Sequence, residues 1–269
     1  MRVFILALDG LEYSLVVKWK LKYLLQKTYG RYKAPISPRY KKPHTPSAWM
    51  SFITGKPVEE HGIDAWWTWG KFLDWLRFKP PFVWIGGKRK ILEKLGIKPR
   101  LYSQKDLKVK TLFDHVKPSI ALNIPAYNEP TFYHDELSRA LKRSLSEYEK
   151  IVWRIYEERK KRLYEKLDAE WKLFMVWFDL ADLLGHIYIV KRPWRLMKAY
   201  LELNTLAKNI QRKMPENTIF LIVSDHGMKA IGESGDHSLY GFYSINIETS
   251  WKPNSITDFY PKILEWLKT

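Results

Sequence analysis

Residues 221–230 read LIVSDHGMKA. A β-favouring apolar run delivers an acid, an imidazole and a glycine in that order. Continuous apolar runs suit strands buried on both faces, as in a parallel sheet covered by helices. In open α/β sheets, ligands gather outside the carboxyl ends of the strands, and Asp225 and His226 stand at such an end. Carboxylate oxygen and imidazole nitrogen are a common donor pair for zinc and its neighbours. Asp, His and Gly are also ordinary residues for the loop after a strand. The pair therefore needs companions before it means a metal site.

The rest of the chain repeats the pattern. Apolar periodicity predicts strands at 2–8, 119–124, 173–179 and 218–224, and helices at 12–28, 46–54 and 194–213. Such alternation predicts an α/β fold, a mostly parallel central sheet with helices on both faces. A long helical pattern over 134–169, open to interruption, lies between two strands and can serve as a crossover. Residues 64–110, rich in Trp and carrying Pro80-Pro81 and Gly86-Gly87, break the rhythm. They read either as a small irregular cap insertion over a site or as an aromatic face packed on the sheet. A chain of 269 residues fits one catalytic domain, 1–269.

Composition narrows the classes. A hydrophobic fraction of 46% with 13 Trp and 16 Tyr describes a folded chain and not a disordered one. The absence of cysteine excludes disulfides, thiolate ligands and a cysteine nucleophile, and it is compatible with a reducing compartment, so a cytoplasmic location is expected. Six apolar residues between Arg2 and Asp9 are too few for a secretory core. The longest apolar run, 173–190, contains Asp179, Asp182 and His186; each central Asp costs roughly 2.5–3.5 kcal/mol on membrane insertion, which argues against a membrane span. The net charge of +17 favours anionic partners, whether phosphate esters, nucleic acid or acidic lipid headgroups. Much of it sits in stretches such as EERKKRLYEKLDAEWK, which suit a solvated helix face with i,i+4 pairs.

The other predicted strand ends supply the companions. Strand 2–8 delivers Asp9 followed by Gly10, although Asp9 equally suits a helix N-cap. In WFDLADLLGH, Asp182 and His186 are four residues apart and share one face if the segment is helical; Asp179 is the competing carboxylate. The glycine-rich GESGDHSLYGF returns His237 to the same edge, where a lone loop histidine can also be merely solvated. Asp9, Asp182, His186, Asp225, His226 and His237 are too many donors for one tetrahedral zinc. They suit two adjacent ions, roughly 4 Å apart, which clamp the attacking and leaving oxygens in phosphoryl chemistry. Thr45, just before Pro46, stands at the start of a helix through SAWMSFIT, where free amides favour a phosphoryl group. It can be a metal-activated nucleophile or a plain N-cap.

In order, LALDG, TPSAWMSFITGKPVEEHGI, DLLGH, SDHGM and GDHS span residues 3–238. Together they resemble the alkaline phosphatase superfamily, most closely its type I phosphodiesterase and nucleotide pyrophosphatase branch. The resemblance implies an alkaline phosphatase-like core and two divalent metal ions, usually zinc; manganese and iron also suit the donors. Asp9, Thr45, Asp225 and His226 would surround one ion and Asp182, His186 and His237 the other. Thr45 would attack phosphorus and form a phosphothreonine that water then hydrolyses. The implied substrate is an anionic phosphate-ester small molecule, a nucleotide among the choices. The family pattern has an asparagine three residues after the nucleophile and this chain has Ala48, so diester against monoester preference stays open. TPSAW lacks the Cys or Ser and the Arg of sulfatases, and the chain is too compact for the related mutases. A reading of a different class, a basic nucleic-acid-binding protein without significant hydrolase activity, has the charge but no recognised motif behind it.

Abundant Lys and Glu, three Gln and no Cys are the composition of a heat-adapted, thermophilic protein. Scanning calorimetry should find a melting midpoint above the ~45–65 °C of mesophile domains; a midpoint inside that range contradicts the expectation.

Overall fold

The computed structural model describes residues 1–76, 79–82, 92, 94–130 and 132–268. Strand β1 (Arg2–Leu8) is buried from Val3 onward, and its side chains divide by parity. Phe4, Leu6 and Leu8 enter one core, while Val3, Ile5 and Ala7 enter the other. Two buried faces leave no room for a polar alternate, which explains the unbroken apolar run. Such a strand belongs in the middle of a sheet. β4 (Leu173–Phe178) and β5 (Thr218–Val223) flank it in parallel. β3 (Ser119–Leu122) continues the parallel row beyond β4. On the other side, β8 (Tyr240–Ile245) runs antiparallel to β5 and pairs in turn with β2 (Thr28–Lys33). The order β2-β8-β5-β1-β4-β3 makes a six-stranded, mostly parallel sheet. A separate hairpin joins β6 (Met228–Ile231) to β7 (Ser234–His237).

Register locks the centre. Phe4 stands opposite Phe174 and Phe220, with ring centroids 4.8 and 5.5 Å away. Aromatic pairs of this kind add about 0.5–1.5 kcal/mol each beyond their burial. A one-residue slip of β1 would send Phe4 to the face opposite Phe174 and Phe220. On the Phe4 side, the sheet is covered by α3 (Leu145–Leu167), α4 (Leu180–Tyr188) and α5 (Pro193–Lys213), through Val152, Leu184 and Leu203 among others. The opposite face is covered by α1 (Thr45–Thr54) and α6 (Phe259–Lys268), through Trp49, Phe52, Phe259 and Ile263. No helix among the described residues is long and apolar enough to cross a membrane.

The structure departs from the sequence pattern in places. Residues 12–28, expected as one helix, form two short ones, Tyr13–Lys18 and Lys22–Leu25, before β2 begins. Lys20 and Gln26 both take φ of +51°, a left-handed geometry that stops a helix of L-residues. The helix-like spacing is still satisfied, because Val16, Leu21 and Leu24 reach one core from two pieces. The 134–169 pattern divides into α2 (Phe132–Arg143) and α3 at Ser144, whose Oγ accepts from the Glu147 amide at 3.1 Å as an N-cap. β2, β6, β7, β8 and α6 went unread. Of the expected cap, residues 77–78, 83–91 and 93 lie outside the described residues; its described parts include a short ladder of Trp67–Thr68 with Arg100–Leu101.

One buried cation ties α3 to the sheet. Arg159 Nη2 donates to Glu129 Oε1 at 2.8 Å, and Nη1 lies 2.7 Å from Asp179 Oδ1 just past β4. Its guanidinium sits over the rings of Trp177 and Tyr133. Removing one partner of a buried ion pair strands the others without compensation, at about 3–5 kcal/mol. Arg159→Met should therefore lower stability by that order in urea unfolding; an unchanged midpoint would show that the network is energetically idle.

Candidate metal centre

The parallel strands deliver their ends to one edge. Asp9 follows β1, and its amide donates to Phe178 O at 2.9 Å, which seats it against the end of β4. Gly10 lies between, at φ +66°. A Cβ there would stand 2.7 Å from Asp182 Cα, so the two turns meet only because this residue is glycine. Asp182 falls in the first turn of α4 and His186 one turn later, on the same face. Ser224, Asp225 and His226 follow β5, all fully buried. His237 ends β7, which the short hairpin folds back over α4. Thr45 opens α1 from the other face of the sheet.

All seven sequence-predicted residues converge. Thr45 Oγ1 donates to Asp9 Oδ1 at 3.4 Å and lies 3.4 Å from His226 Nε2. His226 Nε2 is 3.3 Å from Asp9 Oδ1 and 3.5 Å from Asp225 Oδ2. On the adjoining side, Asp182 Oδ1 is 3.4 Å from His186 Nε2 and 3.6 Å from His237 Nε2, and the two imidazole nitrogens are 3.2 Å apart. The His226 and His237 rings stack at 3.7 Å and join the halves. Donor atoms of Asp9, Asp225 and His226 lie within 4.8 Å of one another, as do those of Asp182, His226 and His237. His226 thus borders both groups, a sharing that the sequence pattern did not suggest.

The histidines are oriented alike. His186 Nδ1 contacts Gly235 O at 2.9 Å, His237 Nδ1 contacts Pro43 O at 2.8 Å and His226 Nδ1 contacts Gly227 O at 3.0 Å. A carbonyl only accepts, so each Nδ1 carries the proton and each Nε2 turns its lone pair inward when the ring is neutral. This backbone support is the usual arrangement behind metal-ligating imidazoles. The carboxylates carry the complementary signature. Both oxygens of Asp225 and Oδ1 of Asp182 are buried without a hydrogen-bond partner.

Electrostatics show the same conflict. Burial, reinforced by the facing Asp225, holds the Asp9 carboxyl well above the usual range, and burial does likewise for Asp225. Burial also opposes ionisation of Asp182, yet His186 and His237 hold its carboxyl below the usual range. Burial opposes charge on His186 too, but Asp182 lifts the imidazole to about 9. Burial and the stacked His237 push His226 down to about 3. Acceptors facing acceptors in a buried space call for a cation, and this oxygen and nitrogen set fits divalent ions of the zinc, manganese and iron group.

Neighbouring residues separate by their contacts. Asp179, the competing carboxylate, is engaged by Arg159. Thr45 is no N-cap: that position belongs to His44, and the polar neighbours of the Thr45 hydroxyl are Asp9 and His226. His61 is structural, with Nε2 3.1 Å from Ser51 Oγ and Nδ1 accepting from Ile63 N at 3.2 Å. Lys42, near in sequence to Thr45, pairs with Asp236 at 2.7 Å beside His237. Glu12 was missed. Its place three residues after Asp9 reads in sequence as an ordinary start of a helix, and nothing local signals its distant partners.

No curated relative matches by sequence. Among solved structures, murine ectonucleotide pyrophosphatase/phosphodiesterase 5 superposes with a TM-score of 0.53 at 13% identity, covering 87% of this chain and 59% of that one. Phosphonoacetate hydrolase from Sinorhizobium meliloti 1021, in complex with phosphonoformate, superposes at a TM-score of 0.47 and 12% identity over 85% of this chain and 57% of that one. This chain spans about 59% of the length of the murine protein, and at such identities the likeness concerns the fold. The sequence profile of Type I phosphodiesterase / nucleotide pyrophosphatase matches residues 3–252, nearly the whole length over which the strands, the turns and the seven converging residues are distributed, and the chain belongs to that family.

Proposed function

We propose that the protein is a two-metal-dependent hydrolase of phosphoric esters that cleaves phosphodiester or nucleotide pyrophosphate bonds through a phosphothreonine on Thr45. The observation that carries this reading is the Thr45 hydroxyl, held at the N-terminus of α1 between Asp9 Oδ1 and His226 Nε2, 3.4 Å from each. Asp9, Thr45, Asp225 and His226 would hold one ion and Asp182, His186 and His237 the other. When bound, the ions would supply positive charge against the charge developing on the phosphoryl oxygens. Zinc is the preferred identity, with manganese and iron as the alternatives.

The residues divide the work as follows. Asp9 accepts the hydrogen bond that aims the Thr45 hydroxyl. The Thr45 oxygen attacks phosphorus in line, forming a P–O bond as the bond to the leaving oxygen breaks. The dipole of α1 favours the anionic phosphoryl group at its N-terminus. Water then attacks the phosphothreonine from the side of Asp182, His186 and His237, releasing phosphate or its monoester and restoring the hydroxyl. Phosphate-ester specificity is assigned to the 64–170 region, with 64–110 as a cap within a single 1–269 domain, and the net charge of +17 supports an anionic small-molecule substrate. The family and the nucleotide pyrophosphatase name of the murine neighbour support the diester and pyrophosphate preference. A cytoplasmic location belongs to the same reading and rests on the lack of cysteine.

Thr45→Ala should lower turnover by at least ~10³-fold, the scale of removing a nucleophile, while metal analysis shows the ions retained; full activity in that variant refutes the role. In protein stripped by a chelator, hydrolysis should vanish and return on adding zinc or manganese, faster for bis-p-nitrophenyl phosphate than for p-nitrophenyl phosphate. The opposite order would make the protein a phosphomonoesterase despite its family, and metal-independent cleavage would overturn the two-ion reading.

A further inference from the structure

Among the described residues the hydrogen-bond partners of the Glu12 carboxylate are Ser14, Met228 and Ser238 and none of the seven, yet that carboxylate joins the turns that carry several of them. Oε1 accepts from the Ser14 amide at 3.0 Å and the Ser14 hydroxyl at 2.8 Å, the local cap of helix Tyr13–Lys18. Oε2 faces away from that helix and accepts from the Met228 amide and the Ser238 hydroxyl, each at 3.1 Å. Met228 comes two residues after His226, Ser238 directly after His237, and Glu12 three residues after Asp9. A helix cap needs only the first pair of bonds. The second pair spans more than two hundred residues of chain and ends beside two of the proposed metal-binding histidines.

The surroundings are built to hold this carboxylate in place. The Leu11 amide donates to Ser224 Oγ at 2.9 Å, and that hydroxyl donates to His226 O at 2.6 Å. The Glu12 amide donates to Tyr200 Oη at 2.8 Å, and the Ser238 amide donates to Gly227 O at 2.9 Å. Space is reserved as well. A Cβ on Gly227 would lie 2.2 Å from Glu12 Oε2 and 2.6 Å from Ser238 Oγ, so the turn after His226 leaves out a side chain where the carboxylate enters. Met228 and Ser14 each present an amide N–H, which only an acceptor can satisfy. A carboxylate accepts at both oxygens; a glutamine in either orientation would set its NH₂ against one of these amides.

We propose that Glu12 is a positioning residue, a carboxylate clamp that holds the Asp9, His226 and His237 turns in one register so that their donors converge. This rests on the metal-binding reading above but is tested apart from catalysis. Outer partners of metal ligands typically contribute about 10–100-fold to metal affinity or activity. Glu12→Gln should therefore weaken zinc binding to chelator-stripped protein by about that factor, measured by competition with a chromogenic chelator. It should also speed hydrogen exchange at the Met228 amide in the stripped protein. Ser14→Ala, which removes one bond of the local cap and leaves the bridge intact, should change neither. Ser238→Ala should weaken zinc binding alone but add little to Glu12→Gln, because both break the same bridge.

Zinc affinity and Met228 exchange unchanged in Glu12→Gln would overturn the clamp, as would an equal loss in Ser14→Ala, which would reduce Glu12 to a helix cap. Failure of the unaltered protein to bind zinc would contradict the metal reading instead. Met228 exchange in the stripped protein then still decides the clamp.

Discussion

Three imidazoles bound through Nδ1 to backbone carbonyls are the constraint on which the functional edge of this protein depends. Gly235 in β7, Pro43 before α1 and Gly227 directly after His226 supply those carbonyls. Each bond removes the freedom of a ring to present its proton inward. When the rings are neutral and the carboxyls ionised, imidazole lone pairs and buried carboxylate oxygens face one another as acceptors. Such a cluster is unfavourable on its own, since buried acceptors without donors cost free energy. It persists because the sheet and its packed helices over-determine the position of every member. The Phe4, Phe174 and Phe220 contacts fix the register of the strands that deliver Asp9, Asp182 and His226.

The same logic separates two neighbouring buried carboxylates by what each one faces. Asp179 and Asp182 are three residues apart and both are buried. Asp179 is matched by Arg159, a cation locked between aromatic rings, and its role is to bind α3 to the end of β4. Asp182 meets no guanidinium among the described residues and faces the imidazoles of His186 and His237. Burial alone would have ranked the two equally. The identity of the partner distinguishes them.

Much of this was legible in the sequence because two-sided burial writes itself as apolar runs and strand ends are where the ligands stand. The runs ending at Leu8, Phe178 and Val223 were read nearly to the residue, and the acids and imidazoles beyond them come together as those runs predict. What escaped depends on tertiary context. β2 is an edge strand whose exposed positions hide the pattern, as in its alternating TYGRYK, and β8 is a buried run whose glycine, serine and tyrosines dilute the apolar signal. Lys20 and Gln26 adopt left-handed backbone that their residue types do not announce. The placement of His226 between both donor groups and the reach of Glu12 to Met228 and Ser238 join distant segments, and no local spacing encodes them.

The proposed pairing of two cations among the seven residues rests on where metal binds. It is tested most directly by anomalous diffraction at the zinc edge from crystals of protein stripped and reloaded with zinc. Two peaks are expected, one among Asp9, Thr45, Asp225 and His226 and the other among Asp182, His186 and His237. A single peak, or none at this edge of the sheet, would contradict it.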